Sequence, residues 1–320
     1  MARVFIHVGP HKTGTTFLQD VILSNRESLR GQGICIPVSG SLNQALPHHN
    51  LVWDIASSKA NYKPEFGGIE ALCEEIKDEK HVVISSENFA SFPHCFFKIV
   101  NKLVSHGHEV FSIYALRDQL SIINSAYTQR IKTFNLNSKF DEYFETALLE
   151  KRYDQLEFYK DLWATKCSNK FIVYSRKNLL KDFLDAAEMS NVRLLPTSKS
   201  GQVNVSPNDY EIEILRVCSP ILKNFGKDFV TTLIMLRQTF EKHGIDNASS
   251  FWGPSTEQTR AAREIFNAPN RKLCVRLNID EASLQFRKKE RSLIEIDKLS
   301  PAKKAEMSKI LKDFLKVALK

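Results

Sequence analysis

Arg3-Val4-Phe5-Ile6-His7-Val8-Gly9-Pro10-His11-Lys12-Thr13-Gly14-Thr15-Thr16-Phe17-Leu18 is the stretch that decides the fold. Its first six residues are rich in β-branched and aromatic types and predict a strand over 3–8. Gly9 and Gly14 bracket a turn, and Phe17, Leu18, Val21 and Ile22 recur at helical spacing, which predicts a helix over 15–29. A glycine-rich turn between strand and helix aims backbone N–H groups at the space above the helix start, where the helix dipole adds positive potential. That is a seat for phosphate. Thr15 and Thr16 bring hydroxyls to it and Lys12 an ammonium.

Outward from this unit, strands and helices alternate. Gly31 and Gly33 end the first helix, and a short strand is expected over 34–38. The stretch 46–60, with His48 and His49, is less regular. Then come a helix over 66–78, a strand over 81–85, a helix over 95–105 and a strand over 110–116. Helices over 118–133, 139–150 and 154–166 and a strand over 171–174 complete the series. Such alternation predicts an α/β architecture with a mainly parallel central sheet flanked by helices. A polar loop over 198–206 introduces a helical C-terminal extension. We expect one domain over 1–320, its α/β core in 1–190 and its mostly helical part in 191–320.

Composition narrows the class. The chain has 320 residues, 42% hydrophobic and 26% charged, as in an ordinary globular protein. Charged residues interrupt each apolar helical pattern well before the span of a bilayer, so no transmembrane segment is expected, although peripheral membrane contact stays open. Residues 3–8 are too short and polar for the apolar core of a secretory signal. The six cysteines (Cys35, Cys73, Cys95, Cys167, Cys218 and Cys274) lie scattered, with no CxxC or Cys/His pair at metal spacing, which points to reduced thiols in a cytoplasmic protein. Net charge is +8, but Lys303, Lys304, Lys309, Lys312, Lys316 and Lys320 supply much of it at the C-terminus. No nucleic-acid-binding pattern accompanies them. A basic surface also suits a nucleotide or an acidic glycan.

The Walker A loop of ATP and GTP enzymes places lysine directly after its second glycine. Here Thr15 follows Gly14 and the lysine comes two places before that glycine. No Walker B aspartate ends a strand, so a kinase or NTPase is the lesser alternative. A non-catalytic nucleotide- or glycan-binding protein of the same fold is another.

Pro10-His11-Lys12-Thr13-Gly14-Thr15-Thr16-Phe17-Leu18 resembles the 5′-phosphosulfate loop of sulfotransferases that use 3′-phosphoadenosine 5′-phosphosulfate (PAPS), with an extra histidine, as in bacterial carbohydrate sulfotransferases. A second motif lies downstream. Arg117 ends the strand over 110–116, and Ser125 stands eight residues on in Ser125-Ala126-Tyr127-Thr128-Gln129. A guanidinium at a strand's carboxyl end lies on the ligand edge of an α/β sheet and can clamp a phosphate together with a hydroxyl. The family has an arginine and a serine at this spacing on the 3′-phosphate. The resemblance covers residues 3–190 and thins beyond them, where Lys199, with Asn204 nearby, corresponds to a loop over the same phosphate.

The resemblance implies a P-loop, nucleotide-kinase-like fold, PAPS as donor and no metal. Donor contacts would come from His11, Lys12, Thr13, Gly14, Thr15, Thr16, Arg117, Ser125 and Lys199. Lys12 would offset charge on the leaving phosphate. The acceptor hydroxyl needs a base. Glu87, in Ser85-Ser86-Glu87 after the strand over 81–85, ranks first by its place and by the resemblance. His49 and His48 are the alternatives, with side chains of suitable ordinary pKa. The implied acceptor is a sugar hydroxyl of a bacterial glycan or glycolipid. Its identity, the sulfated position and the oligomeric state are not encoded in any motif.

Overall fold

The structure is a computed structural model and describes residues 1–42, 47–196, 207–245, 250–286 and 289–319. In chain order the elements are β1 (Arg3–Gly9), α1 (Thr15–Ser24), α2 (Arg26–Arg30), β2 (Ile34–Cys35), α3 (His49–Ile55), α4 (Ile69–Glu75), β3 (His81–Ser85), α5 (Asn88–Ser91), α6 (Pro93–Ser105) and β4 (Glu109–Leu116). They continue with α7 (Gln119–Lys132), α8 (Phe140–Leu149), α9 (Gln155–Trp163), β5 (Ser168–Val173), α10 (Leu179–Ala186), α11 (Asp209–Asn224), α12 (Phe229–Lys242), α13 (Thr256–Leu277) and α14 (Pro301–Ala318). Two compact units form. The first comprises Met1–Asp118, Asp154–Val203 and Ala268–Gln285, the second Gln119–Tyr153, Asn204–Asn267 and Phe286–Lys320.

The first unit is an α/β sandwich around a five-stranded parallel sheet of order β2-β3-β1-β4-β5. Strand β1 is central and buried on both faces, as parallel strands are. Val4, Ile6 and Val8 join one apolar cluster with Val82, Ile84 and Leu116, while Phe5 joins another with Leu18, Phe111 and Phe183. The chain leaving β1 goes to β2 beyond β3, and the chain leaving β4 goes the other way to β5. The carboxyl ends of β1 and β4 therefore flank a topological switch point, the usual place for a ligand.

The second unit is helical. Tyr127, Phe140, Phe144, Phe240, Phe266 and Phe314 are each at most 2% exposed and fill its core. Helix α11 opens with a reciprocal cap: Asn208 accepts from Glu211 N at 2.8 Å, and the Glu211 side chain accepts from Asn208 N at 2.9 Å. The same buried Glu211 takes Arg237 Nε at 2.6 Å.

Several expected elements changed in length for local reasons. The helix expected over 15–29 breaks at Asn25, whose amide donates to Val21 O at 2.8 Å and whose carbonyl accepts from Leu195 N at 2.6 Å. An asparagine that serves backbone groups in this way competes with the helix ladder. The strand expected over 34–38 stops at Cys35, before Pro37, which has no N–H to give to a ladder. Phe17, grouped by its spacing with Leu18, Val21 and Ile22, is 44% exposed while those three are buried. The helices of 119–149 belong to the second unit. Among the described residues, no helix is long and apolar enough to cross a membrane.

Candidate functional site

Strand β1 ends in a loop whose backbone few residues tolerate. Gly9 has φ +98°, and a Cβ there would lie 3.0 Å from Glu87 Cα and 3.1 Å from its Cβ. Gly14 has φ +81°, and its Cβ would meet Leu179 Cδ2 at 2.3 Å. Both positions need glycine. Lys12 also has positive φ, +70°, and Thr13 Oγ1 donates to Pro10 O at 2.6 Å. Helix α1 then begins without a side-chain cap and without an acidic residue in its first turn. Geometry denies the N–H groups of Thr15, Thr16 and Phe17 any intrahelical acceptor, so the positive end of the helix is open to an anion. His11 and Thr16 are exposed, Lys12 and Gly14 half-buried, Thr13 and Thr15 buried.

Glu87 lies against this loop, two residues past β3. Its carboxylate can only accept, so the Gln19 group 2.6 Å from Oε2 must be the amide nitrogen. The other oxygen, Oε1, lies 3.8 Å from His11 Nδ1 and 3.8 Å from His49 Nε2, distances for electrostatic contact and too long for hydrogen bonds. Burial alone would push the Glu87 carboxyl up. The Gln19 hydrogen bond, with His49 and His11, more than offsets this and leaves it below the ordinary carboxylate range. Burial lowers both His49 and His11, with Glu87 partly opposing. Near neutral pH the cluster is thus one carboxylate facing two neutral imidazoles. Ser86 Oγ lies 2.7 Å from His49 Nδ1 and orients that ring.

The other candidate histidine is placed differently. His48 is fully buried, and its Nδ1 accepts from Ser85 N at 3.2 Å, so its proton sits on Nε2 and goes to Pro37 O at 3.0 Å. Burial lowers its pKa to about 4. Both nitrogens are engaged away from solvent, and His48 ties the chain before α3 to the end of β3. We set it aside as a base for that reason.

Arg117 follows β4, across the switch point from the loop. The buried side chain of Gln155 pins its backbone, accepting from Arg117 N at 3.1 Å and donating to Arg117 O at 2.6 Å. Its guanidinium donates to the carbonyl of Lys12 and stacks on Tyr174, 4.6 Å from the ring centroid. Two motifs far apart in sequence therefore meet at one sheet edge. Ser125 lies on α7 in the second unit. Lys199 and Asn204 lie outside the described residues.

Sequence reasoning missed Gln19 and Gln155. The first had a signal: a polar residue one turn after Thr15, on a helix face otherwise carrying Leu18 and Ile22 inward. Gln155 stood at the start of a predicted helix with nothing to mark it. Among the described residues, no group of three or more His, Cys, Asp or Glu is set to hold a metal ion. Searches against family models, curated proteins and solved structures found no match.

Proposed function

We propose that this chain is a PAPS-dependent sulfotransferase with a P-loop, nucleotide-kinase-like sheet domain. The observation that carries the reading is the convergence of three parts. Gly9 abuts Glu87, Lys12 sits in the loop between them and the open end of α1, and Arg117 reaches the Lys12 carbonyl. A phosphate seat, a cation and a carboxylate then share one strand edge.

In this reading the donor's 5′-phosphosulfate rests on the loop from His11 to Thr16. Thr13, whose hydroxyl is already committed to Pro10, contributes through its backbone N–H. Thr16 and the first-turn amides take phosphate oxygens, and Arg117 with Ser125 takes the 3′-phosphate, as the resemblance implies. The acceptor oxygen attacks sulfur in line while the bond from sulfur to the 5′-phosphate oxygen breaks. Its proton passes to Glu87, and Lys12 with the α1 dipole offsets the charge growing on the leaving phosphate. The products are a sulfate ester and adenosine 3′,5′-bisphosphate. No metal has a part. The acceptor class, a sugar hydroxyl of a bacterial glycan or glycolipid, follows from the resemblance alone. A cytoplasmic location suits the six unpaired thiols.

Thermal denaturation with PAPS, adenosine 3′,5′-bisphosphate, ATP with Mg²⁺ and GTP tests the donor. The bisphosphate and PAPS are expected to raise Tm most. A larger shift from ATP with Mg²⁺ would replace this reading with a kinase or NTPase.

A further inference from the structure

A single amide joins Glu87 to the buried Ser85 and His7. Gln19 is 4% exposed on the inner face of α1, and its Nε2 reaches Glu87 Oε2 at 2.6 Å and Ser85 Oγ at 3.3 Å. Both hydrogens of the amide are therefore used. Ser85 Oγ, which accepts from Gln19, also lies 2.8 Å from His7 Nδ1, and the other ring nitrogen of His7 is Nε2. That nitrogen has no hydrogen-bond partner among the described residues, and the ring meets Phe183 edge-on, 5.4 Å between centroids. Glu87 and Ser85 are thus both served from Gln19, and Ser85 lies against a buried neutral histidine.

We infer that Gln19 is a positioning residue, whose amide holds Oε2 of Glu87 and so presents Oε1 to the loop and to His11 and His49. This deepens the proposed function, since it names the oxygen that would take the acceptor's proton, and it rests on that reading only for the chemistry. The groups facing Glu87 are His7 on β1, His11 and, through it, Lys12 in the loop, His49 on α3 and Gln19 on α1. Of these only Gln19 donates a hydrogen bond to the carboxylate at short range, so removing its amide frees the carboxylate to rotate and takes away the largest influence that holds its pKa down, leaving His49, the Glu87 backbone N–H and His11 against burial.

The test is Gln19→Met, which keeps an unbranched side chain and removes the donor. Glu87 is followed by its ¹³C carboxyl resonance as pH varies, alongside the pH–rate profile and the Kd for adenosine 3′,5′-bisphosphate. In the variant the Glu87 titration should move up by about one pH unit or more. Turnover should fall about tenfold to a hundredfold with the bisphosphate Kd unchanged. A Glu87 titration that does not move overturns the inference. If Gln19→Met does not fold, the wild-type chain decides. Its Gln19 amide proton should titrate in step with Glu87, and an amide blind to that titration overturns the inference equally. Should the wild type transfer no sulfuryl group while the titration moves as expected, the positioning role stands and the proposed function falls.

Discussion

Acid should weaken the sheet unit well before its carboxylates titrate, because two histidines are buried in neutral form. His7 and His48 are both 0% exposed, and burial lowers each from an ordinary 6.5 to about 4. The unfolded chain takes up these protons first, so their contribution is complete above about pH 6.5 and is lost as pH falls toward 4. Between pH 7 and pH 5 a ring shifted this far loses about 2 kcal/mol of folding stability, hence about 4 kcal/mol for the two. Against a typical total of about 5–15 kcal/mol, that is a large loss. Burial lowers His11, His49, His81 and His108 as well, and they act in the same direction. Asp209, raised by burial, acts in the opposite one. Glu87 and Glu188, both lowered, lose their contributions only below this window. Urea denaturation followed by circular dichroism at pH 7, 6 and 5 gives the slope. The double variant His7→Gln, His48→Gln should be less stable at pH 7 yet flatter with pH by about 4 kcal/mol over the window. Stability constant to within about 1 kcal/mol in the wild type, or an unchanged slope in the double variant, would refute the buried-neutral assignment.

Gly14→Ala places a side chain at φ +81° and 2.3 Å from Leu179 Cδ2, so stability should drop by about 1–3 kcal/mol and bisphosphate binding with it; wild-type binding by this variant would show that the loop is not the phosphate seat. Arg117→Ala should weaken adenosine 3′,5′-bisphosphate by about 2–5 kcal/mol in calorimetry while barely affecting adenosine 5′-monophosphate, and equal losses for both would detach Arg117 from the 3′-phosphate. Glu87→Gln keeps an acceptor for Gln19, so it should fold and bind the bisphosphate normally but lose about a hundredfold in turnover; full activity would remove Glu87 from the mechanism.

How much was legible depended on whether a residue's role is local. The first strand–loop–helix was, because glycine at 9 and 14 and a strand–helix change of period are written within a dozen residues. Strand β3 and Glu87 after it were too, since a run of Val82, Val83 and Ile84 has no other good home than a buried strand. What escaped was set by long-range packing. Nothing near Asn25 announces that Leu195 will take its side chain and break the helix. His48 and His49 are adjacent and identical as letters, yet one is sealed between Pro37 and Ser85 and the other faces Glu87. Only the tertiary register of α3 against β3 separates them. Likewise the helices of 119–149 carry the same apolar pattern as those that cover the sheet, and periodicity alone does not say which core Tyr127 or Phe144 will enter.

Protonation state does not choose between Glu87 and His49 as base, since near neutral pH burial and neighbours leave the carboxyl ionised and the imidazole uncharged, each with an atom able to accept a proton. The pH–rate profile is correspondingly a weak discriminator: with His49 held low, either base gives a plateau through neutrality and an inflection only on the acid side. Position discriminates better. The Glu87 backbone touches Gly9, so any movement of the phosphate loop carries directly to the carboxylate, and Gln19 ties the same carboxylate to the helix whose N-terminus would hold the donor. His49 is fixed instead to Ser86 through Nδ1 and lies 3.8 Å from Glu87 Oε1, too far for a hydrogen bond. A proton accepted at Oε1 would also be electrostatically linked to two neutral imidazoles, each 3.8 Å away. On the proposed reading Glu87 would be the group that meets both donor and acceptor, and His49 its partner in releasing the proton afterwards.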